Sequence, residues 1–192
     1  MGRSFRAFSL TAMVGLALTQ GVGCASSNGE AEGPGKELGL PAWQGSARDL
    51  FGDEIDPSAL GILPPKPPRK DQALWARAQQ ADIVGRVRVQ TVTVDSRAGQ
   101  ATYHLGLQFA NPPLVDTKLE ERTFEVTVDL RDPAYGLVKA QDTGLQGKTF
   151  VGFVKRFVGA DDEVDNHFYL TADSAEVAAV VQEAVAVKEV SQ

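Results

Sequence analysis

Side chains capable of chemistry are few in this chain and are widely spaced. Among 192 residues there is one cysteine, Cys24, and there are two histidines, His104 and His167. A zinc site needs three or four ligands, and no HxxxH pattern or carboxylate cluster accompanies either histidine. We therefore expect both histidines to lie on outward strand faces, and we expect no metal site.

The acidic side chains also lack a pattern that would indicate catalysis. Residues 161–165 offer carboxylate oxygens, which Ca²⁺ prefers, but they lack the glycine and distal glutamate of an EF-hand loop. Asp129, Asp132 and Asp142 show no spacing suited to an acid–base pair. No Gly-x-Ser-x-Gly motif and no phosphate-cradling glycine motif occurs. The sequence therefore predicts a non-enzymatic protein without a cofactor.

The N-terminus has the three parts of a secretory signal. Arg3 and Arg6 precede an apolar run at residues 7–18, and small residues lead to Cys24. This order is typical of a signal peptide, here residues 1–23. A membrane-spanning helix needs about 20 apolar residues, so this run of about a dozen favours cleavage over anchoring by a helix.

Residues 21–24 resemble the lipobox of bacterial lipoproteins. Val22 and Gly23 fit the pattern before Cys24, while Gly21 stands where leucine is usual. The resemblance implies that Cys24 carries a thioether-linked diacylglycerol and an acylated N-terminus, which together hold a protein on a membrane. Ala25 is not the aspartate that retains such proteins in the inner membrane, which favours the outer membrane facing the periplasm. The alternative is an incidental cysteine beside an ordinary signal cleavage site.

Composition limits the partners and the number of domains. The chain has a net charge of −6 at pH 7, and removal of the two signal-peptide arginines makes it more negative. A nucleic-acid surface needs a basic patch, so nucleic acid is excluded as a partner. About 120 residues after the signal and linker are enough for one domain with a core.

Residues 24–70 are predicted to be a flexible and Pro-rich linker. They begin with glycine, serine and scattered charges and end in prolines at 64, 65, 67 and 68, which favour a polyproline II spacer. Residues 46–63 contain apolar side chains that either pack on the domain or dock a partner. The β-rich domain is expected to span residues 71–192.

Within that domain the apolar pattern predicts five strands and one or two short helices. A helix capped at Asp71 should run to about Gln80, and a second should follow Asp173 and Glu176, which resemble a capping box. Valines favour strands, so a further strand at residues 185–190 is the alternative to a helix there. Residues 83–95 should form one long strand with a bulge near Gln90. The next two strands should bury Tyr103, Leu105, Leu107 and Phe109, then Phe124, Val126, Val128 and Leu130.

The fourth strand, at residues 148–158, is apolar on both faces, so it should be central or covered by a helix. Phe153 in this strand is expected to oppose Phe124. This arrangement resembles an OB-fold, a small five-stranded and partly open barrel. Residues 145–154 are similar to the Gly-Lys and alternating strand common in such domains. A β-sandwich or another small mixed barrel is the alternative.

The functional expectation is a lipid-anchored bacterial envelope protein with a non-catalytic binding domain. Its expected partners are the membrane, through Cys24, and an envelope protein that it serves as an accessory subunit. The alternative is a small-ligand or glycan binding module. A candidate binding face is formed by outward polar residues of two strands, namely Thr102, His104, Gln108, Glu125 and Thr127. A concave face there would favour a ligand, and a flat apolar patch would favour a protein partner.

Overall fold

One six-stranded sheet organises the computed structural model, which describes residues 34–111, 113–115 and 121–190. The strands are β1 (Glu54–Ile55), β2 (Ile83–Arg97), β3 (Gln100–Phe109), β4 (Thr123–Val128), β5 (Thr149–Val158) and β6 (Val164–Ala172). Their order in the sheet is β1-β6-β5-β2-β3-β4. β1 runs parallel to β6, and the other neighbours are antiparallel. The prediction of a mainly β domain is therefore confirmed, with the short β1 added to the five expected strands.

Helices are more numerous than expected in the part of the chain that the structure describes. They are α1 (Pro34–Glu37), α2 (Ser46–Leu50), α3 (Gln72–Gln80), α4 (Tyr135–Leu145) and α5 (Ala175–Val190), with 3₁₀ turns at Pro57–Leu60, Pro68–Lys70 and Ala160–Asp162. None of the helices within the described ranges is long and apolar enough to cross a membrane. The sequence predicted α3 and most of α5, and it treated α4 as an irregular connection.

Side-chain caps fix the starts of α3 and α5. Asp71 Oδ1 and Ser174 Oγ each accept the backbone N–H three residues on, at 3.1 Å and 3.2 Å. The predicted cap on α3 is therefore confirmed. The prediction that Asp173 caps α5 is wrong, because its carboxylate accepts a hydrogen bond from Arg86 Nε at 2.9 Å instead.

The β2–β3 pair is a long hairpin with the expected irregularity. The register between the strands shifts between Val89 and Thr91, which confirms the predicted bulge. Ala98 and Gly99 connect the strands with φ values of 50° and 79°. Positive φ at both central residues is the type I′ geometry that matches the twist of paired strands.

The sheet buries an apolar cluster on each face. The first contains the inward residues of β3 and β4, together with Phe150 of β5. The second contains Phe153 with residues of α3 and α5. Phe153 therefore does not oppose Phe124 as expected, because it points to the helix-covered face. β5 is both central in the sheet and covered by helices, which accounts for its two apolar faces. Leu130 lies after the end of β4 and is 58 % exposed, although the alternation predicted it inward.

Packing begins well before Asp71. We call residues 34–55 the N-terminal segment. Phe51 and Ile55 in it are fully or almost fully buried, and Val158 N donates to Pro41 O at 3.0 Å. The predicted domain boundary at Asp71 therefore does not mark where packing starts, because a few large apolar residues suffice to bind a polar stretch to a sheet. Of the two alternatives for residues 46–63, the structure shows packing on the domain for Leu50, Phe51 and Ile55.

Candidate ligand-binding cleft

A polar cleft of about 600 Å³ opens beside β4 and β6. One wall is formed by Glu125 and Thr127 of β4 and by residues 165–167 of β6. The side chain of Asn166 reaches across from β6, and its Nδ2 donates to Glu125 O at 3.4 Å. The two strands are therefore close at this point without being neighbours in the sheet order.

A buried pair of hydrogen-bonded residues, Asp53 and His167, forms the floor of the cleft. Asp53 Oδ2 lies 2.6 Å from His167 Nδ1, and Asp53 Oδ1 accepts from Phe168 N at 3.2 Å. The Asp53 side chain is 4 % exposed and that of His167 is 15 % exposed. Burial raises the pKa of Asp53, and the hydrogen bond from His167 opposes this shift. With Asp53 ionised, His167 Nδ1 is the donor of this hydrogen bond and the carboxylate is the acceptor.

The expectation that His167 is a surface residue is wrong. Strand alternation does place its side chain on the face opposite to Phe168, but the N-terminal segment covers that face. Trp43 stacks on the imidazole with a centroid distance of 3.6 Å and an interplanar angle of 11°. The indole Nε1 donates to Phe51 O at 2.8 Å, which fixes the ring in place.

The second wall is the turn that follows β4. Asp129 N donates to Asp132 Oδ2 at 2.7 Å, and Asp129 Oδ1 accepts from Arg131 N at 3.1 Å. Burial raises the pKa of Asp132, and the nearby charges of Asp53 and Asp129 add to the increase. These aspartates have no matched spacing in the sequence, yet the fold brings Asp53, Asp129 and Asp132 into one electrostatic neighbourhood.

The predicted binding face is divided by the structure. Glu125 and Thr127 line the cleft, whereas Thr102 and His104 line a separate depression of about 300 Å³. His104 connects the two, because its Nδ1 lies 3.4 Å from Glu125 Oε1. Gln108 is farther along β3, where it bonds with Gln90. Part of the expected face is therefore concave and polar.

Glu125 and Thr127 are the two residues of the cleft lining that the predicted binding face included, and three of the missed residues come from the N-terminal segment. Trp43, Arg48 and Asp53 all belong to the stretch that was predicted to be a linker. Two large aromatic residues, Trp43 and Phe51, stand in that stretch. Aromatic side chains bury large areas, so they were the available signal that the stretch packs.

Metal binding has no geometric support within the described ranges, where no group of three or more histidine, cysteine, aspartate or glutamate side chains could hold an ion. The acidic run at residues 161–165 instead forms a 3₁₀ turn and an ion pair between Asp162 and Lys36 at 2.7 Å. Cys24 and residues 1–23, which the sequence predicts to be a signal peptide, lie outside the described residues.

The raised pKa values predict how stability depends on pH. A carboxyl with a pKa raised by folding holds its proton more tightly in the native state, so stability increases as pH falls from neutral to about 4. Asp132→Asn should therefore be more stable than the unchanged protein at pH 7, and the difference should disappear near pH 4. Urea unfolding at several pH values measures this. Asp49→Asn, at an exposed position on α2, is the control and should give no such trend. An equal stability gain at pH 4 and pH 7 would contradict the prediction.

Comparisons with known proteins identify no relative. No protein-family model matches the chain, and no curated protein or solved structure does so either.

Proposed function

We propose that this chain is a lipid-anchored lipoprotein of the bacterial cell envelope whose β-rich domain is a non-catalytic binding module. The signal-like residues 1–23 and the lipobox-like residues 21–24 support the anchor at Cys24. Position 21 holds glycine where leucine is usual, but Val22, Gly23 and Cys24 still occupy the remaining three positions of the lipobox pattern. The outer membrane, facing the periplasm, is the proposed location because Ala25 follows the cysteine.

We also propose that the domain is a small, partly open barrel of the OB type. Support comes from the strand order, in which β2, β3 and β4 form a meander and β5 and β6 extend from the other edge of β2. The Asn166 contact then brings the fifth long strand, β6, beside the third, β4. The single sheet of the described residues gives no support to the alternative of two packed sheets, which a β-sandwich requires.

The polar cleft is the observation that carries the binding function. Ligand sites are concave and have volumes of about 300–1,000 Å³, and the cleft of about 600 Å³ lies within that range. Its polar groups come from three separate parts of the chain and converge on one space. A small polar ligand therefore fits the domain better than a flat protein partner at this site.

A second function is favoured by a different surface. Ile62 and Leu63 are adjacent, 55 % and 56 % exposed, and precede the prolines at residues 64–68. Exposed apolar neighbours are typical of contact sites for proteins. The accessory protein-interaction subunit, which was the first expectation from the sequence, is therefore the second candidate function, with this pair as its contact.

A solute screen with a blocked cleft tests the proposed function. The full chain in detergent would be titrated with neutral sugars, amino acids and diamines while binding is followed by calorimetry. Thr127→Trp places a bulky ring in the cleft and should abolish binding of the solute that the unchanged protein binds. Thr123→Trp is the control, since Thr123 is exposed on the same strand and does not line the cleft.

Two results would overturn this function. One is that no solute binds, and the other is that a solute binds equally to both tryptophan variants. The protein-partner alternative would gain if crosslinking in intact cells captured a partner that Ile62→Asp eliminates.

A further inference from the structure

The second half of β2 has an unpaired edge. β2 pairs with β5 only from Ile83 to Arg88, and the last hydrogen bonds on that side reach Val89 and Gln90. Its pairing with β3 continues to Arg97. Among the residues that the structure describes, residues 91–97 therefore have a strand on one side only, and we call them the free edge. Such an edge presents N–H and C=O groups that can pair with another strand.

The free edge lacks the features that usually protect an edge strand. Natural edges are blunted by lysine, proline, bulges or short length. Residues 91–94 read Thr-Val-Thr-Val, residue types that favour strands, and neither lysine nor proline occurs between 91 and 97. The bulge at Val89 and Thr91 precedes the free edge and does not interrupt it. Val94 is 53 % exposed, although it pairs with the buried Tyr103 and lies on the same face.

The two outer edges of the sheet are less suited to pairing with another chain. At one of them β1 contributes only two residues. At the other, β4 is approached by β6, where Asn166 Nδ2 donates to Glu125 O at 3.4 Å. The free edge of β2 is therefore the most open to a further strand in the part of the chain that the structure describes.

We propose that the free edge pairs antiparallel with the same residues of a second copy of this chain. Homo-oligomers most often have two-fold symmetry, in which one surface patch serves both copies. A two-fold pair that uses the whole of residues 91–97 places Val94 opposite Val94 of the second copy. The surface lies outside the cleft, so this inference goes beyond the proposed binding function and does not depend on it.

Charge and side-chain chemistry fit a second copy in this register. Asp95 lies opposite Thr93 and Arg97 lies opposite Thr91, in both directions. No like charges are directly opposed, an arrangement that would destabilise a strand pair. The Thr93 hydroxyl can donate to the Asp95 carboxylate of the other copy. Sliding one strand by two residues would set Asp95 against Asp95, so the charges also select the register.

The pairing is short, so the dimer should be weak. Interfaces below about 1,200 Å² belong mostly to weak and transient complexes, and we expect a dissociation constant in the micromolar range. Attachment of both copies to one membrane would raise their effective concentration, as linking does for other paired contacts. A short strand pair is then enough to join two domains through their β2–β3 hairpins.

A cysteine at the two-fold axis tests the proposal. The full chain in detergent would be oxidised with copper phenanthroline and run on a non-reducing gel. Val94→Cys should give a disulfide-linked dimer, because residues directly opposite in a strand pair have Cβ atoms about 4.5–5.5 Å apart. Val190→Cys is the control, since Val190 is 89 % exposed and lies on α5. It should give severalfold less dimer, with each yield measured above that of the unchanged protein.

A matched pair of charge variants tests the register. In the Val94→Cys protein, Thr91→Lys would oppose Arg97 of the second copy and should lower the dimer yield severalfold. Thr91→Glu would attract the same guanidinium and should keep or raise the yield. Thr91 is exposed, and both variants replace the same side chain. Equal dimer yields from the two variants would contradict the proposed pairing.

Three further results would overturn the second copy as the occupant of the free edge. One is the absence of a Val94→Cys dimer above the yield of the unchanged protein. Another is equal crosslinking of Val94→Cys and Val190→Cys, which indicates random collision. The third is a product in intact cells that joins Val94→Cys to a different protein and not to itself. These readouts do not involve solute binding in the cleft, so either proposal can fail alone.

Discussion

Replacing Phe153 with alanine should lower the melting temperature by about ten degrees or more. Phe153, a residue of β5, is fully buried in the apolar cluster on the helix-covered face of the sheet. Removing such a ring costs about 3–5 kcal/mol through lost transfer free energy and a residual cavity, against a total stability of about 5–15 kcal/mol. Thermal melts followed by circular dichroism measure the change. Phe124→Ala should give a similar loss from the cluster on the opposite face.

An exposed apolar residue supplies the control for this experiment. Leu130→Ala removes several carbon atoms from a side chain that is 58 % exposed, so the free energy of unfolding should change by no more than about 0.5 kcal/mol. If Phe153→Ala melts within two or three degrees of the unchanged protein, the packing of β5 described above is incorrect.

Replacing Cys24 with alanine should release the protein from membranes. The change removes the thiol that would carry the diacylglycerol. Each acyl chain lost with it removes membrane-binding free energy of about 0.8 kcal/mol per buried CH₂. The variant should no longer be labelled by a radioactive or tagged fatty acid, and cell fractionation should find it in the soluble fraction. Gly21→Leu restores the usual lipobox residue and should leave labelling and membrane location intact.

A carbonate wash distinguishes lipid anchoring from loose association. Carbonate strips proteins that are held only by surface charge, and the unchanged protein should resist it. Retention of Cys24→Ala in washed membranes would mean that another segment holds the chain, and it would refute the lipoprotein proposal.

The strands were predictable because their burial alternates with the period of a strand. Tyr103, Leu105 and Leu107 in β3 show this, since each is buried as the pattern indicated. The bulge in β2 was equally readable, because the apolar phase slips at a single point. Such local patterns reflect one face meeting the core and the other meeting solvent.

Helix α4 was not predictable from its sequence. Gly136 and Gly144 lower its helix propensity, and it has a break at Gln141 where φ is −129°. The helix forms because Val138 and Leu145 are buried in the first apolar cluster. Tertiary packing therefore decides the conformation of these residues, and packing leaves no local periodic signal.

The floor of the cleft was beyond sequence reasoning for a related reason. Asp53 and His167 are 114 residues apart along the chain, and neither has a spacing that marks it as a partner of the other. Their pairing depends on β1 adding to β6 in parallel. The two residues of β1 are too few to produce a recognisable alternation.

Anchoring at Cys24 would give the N-terminal segment a mechanical role at the cleft. If Cys24 is anchored, tension between the membrane and the domain enters the described structure at α1 and passes along the segment toward Trp43 and Asp53. The attachments along this path include the Lys36–Asp162 ion pair, the Val158 N to Pro41 O bond, the Trp43–His167 stack, the bonds of Asp53 to β6 and the two-residue β1. None of them is a ladder as long as the one between β2 and β3. A pull would therefore strip the cleft wall before it disturbed the long strands, so that ligand retention would be sensitive to force on the anchor.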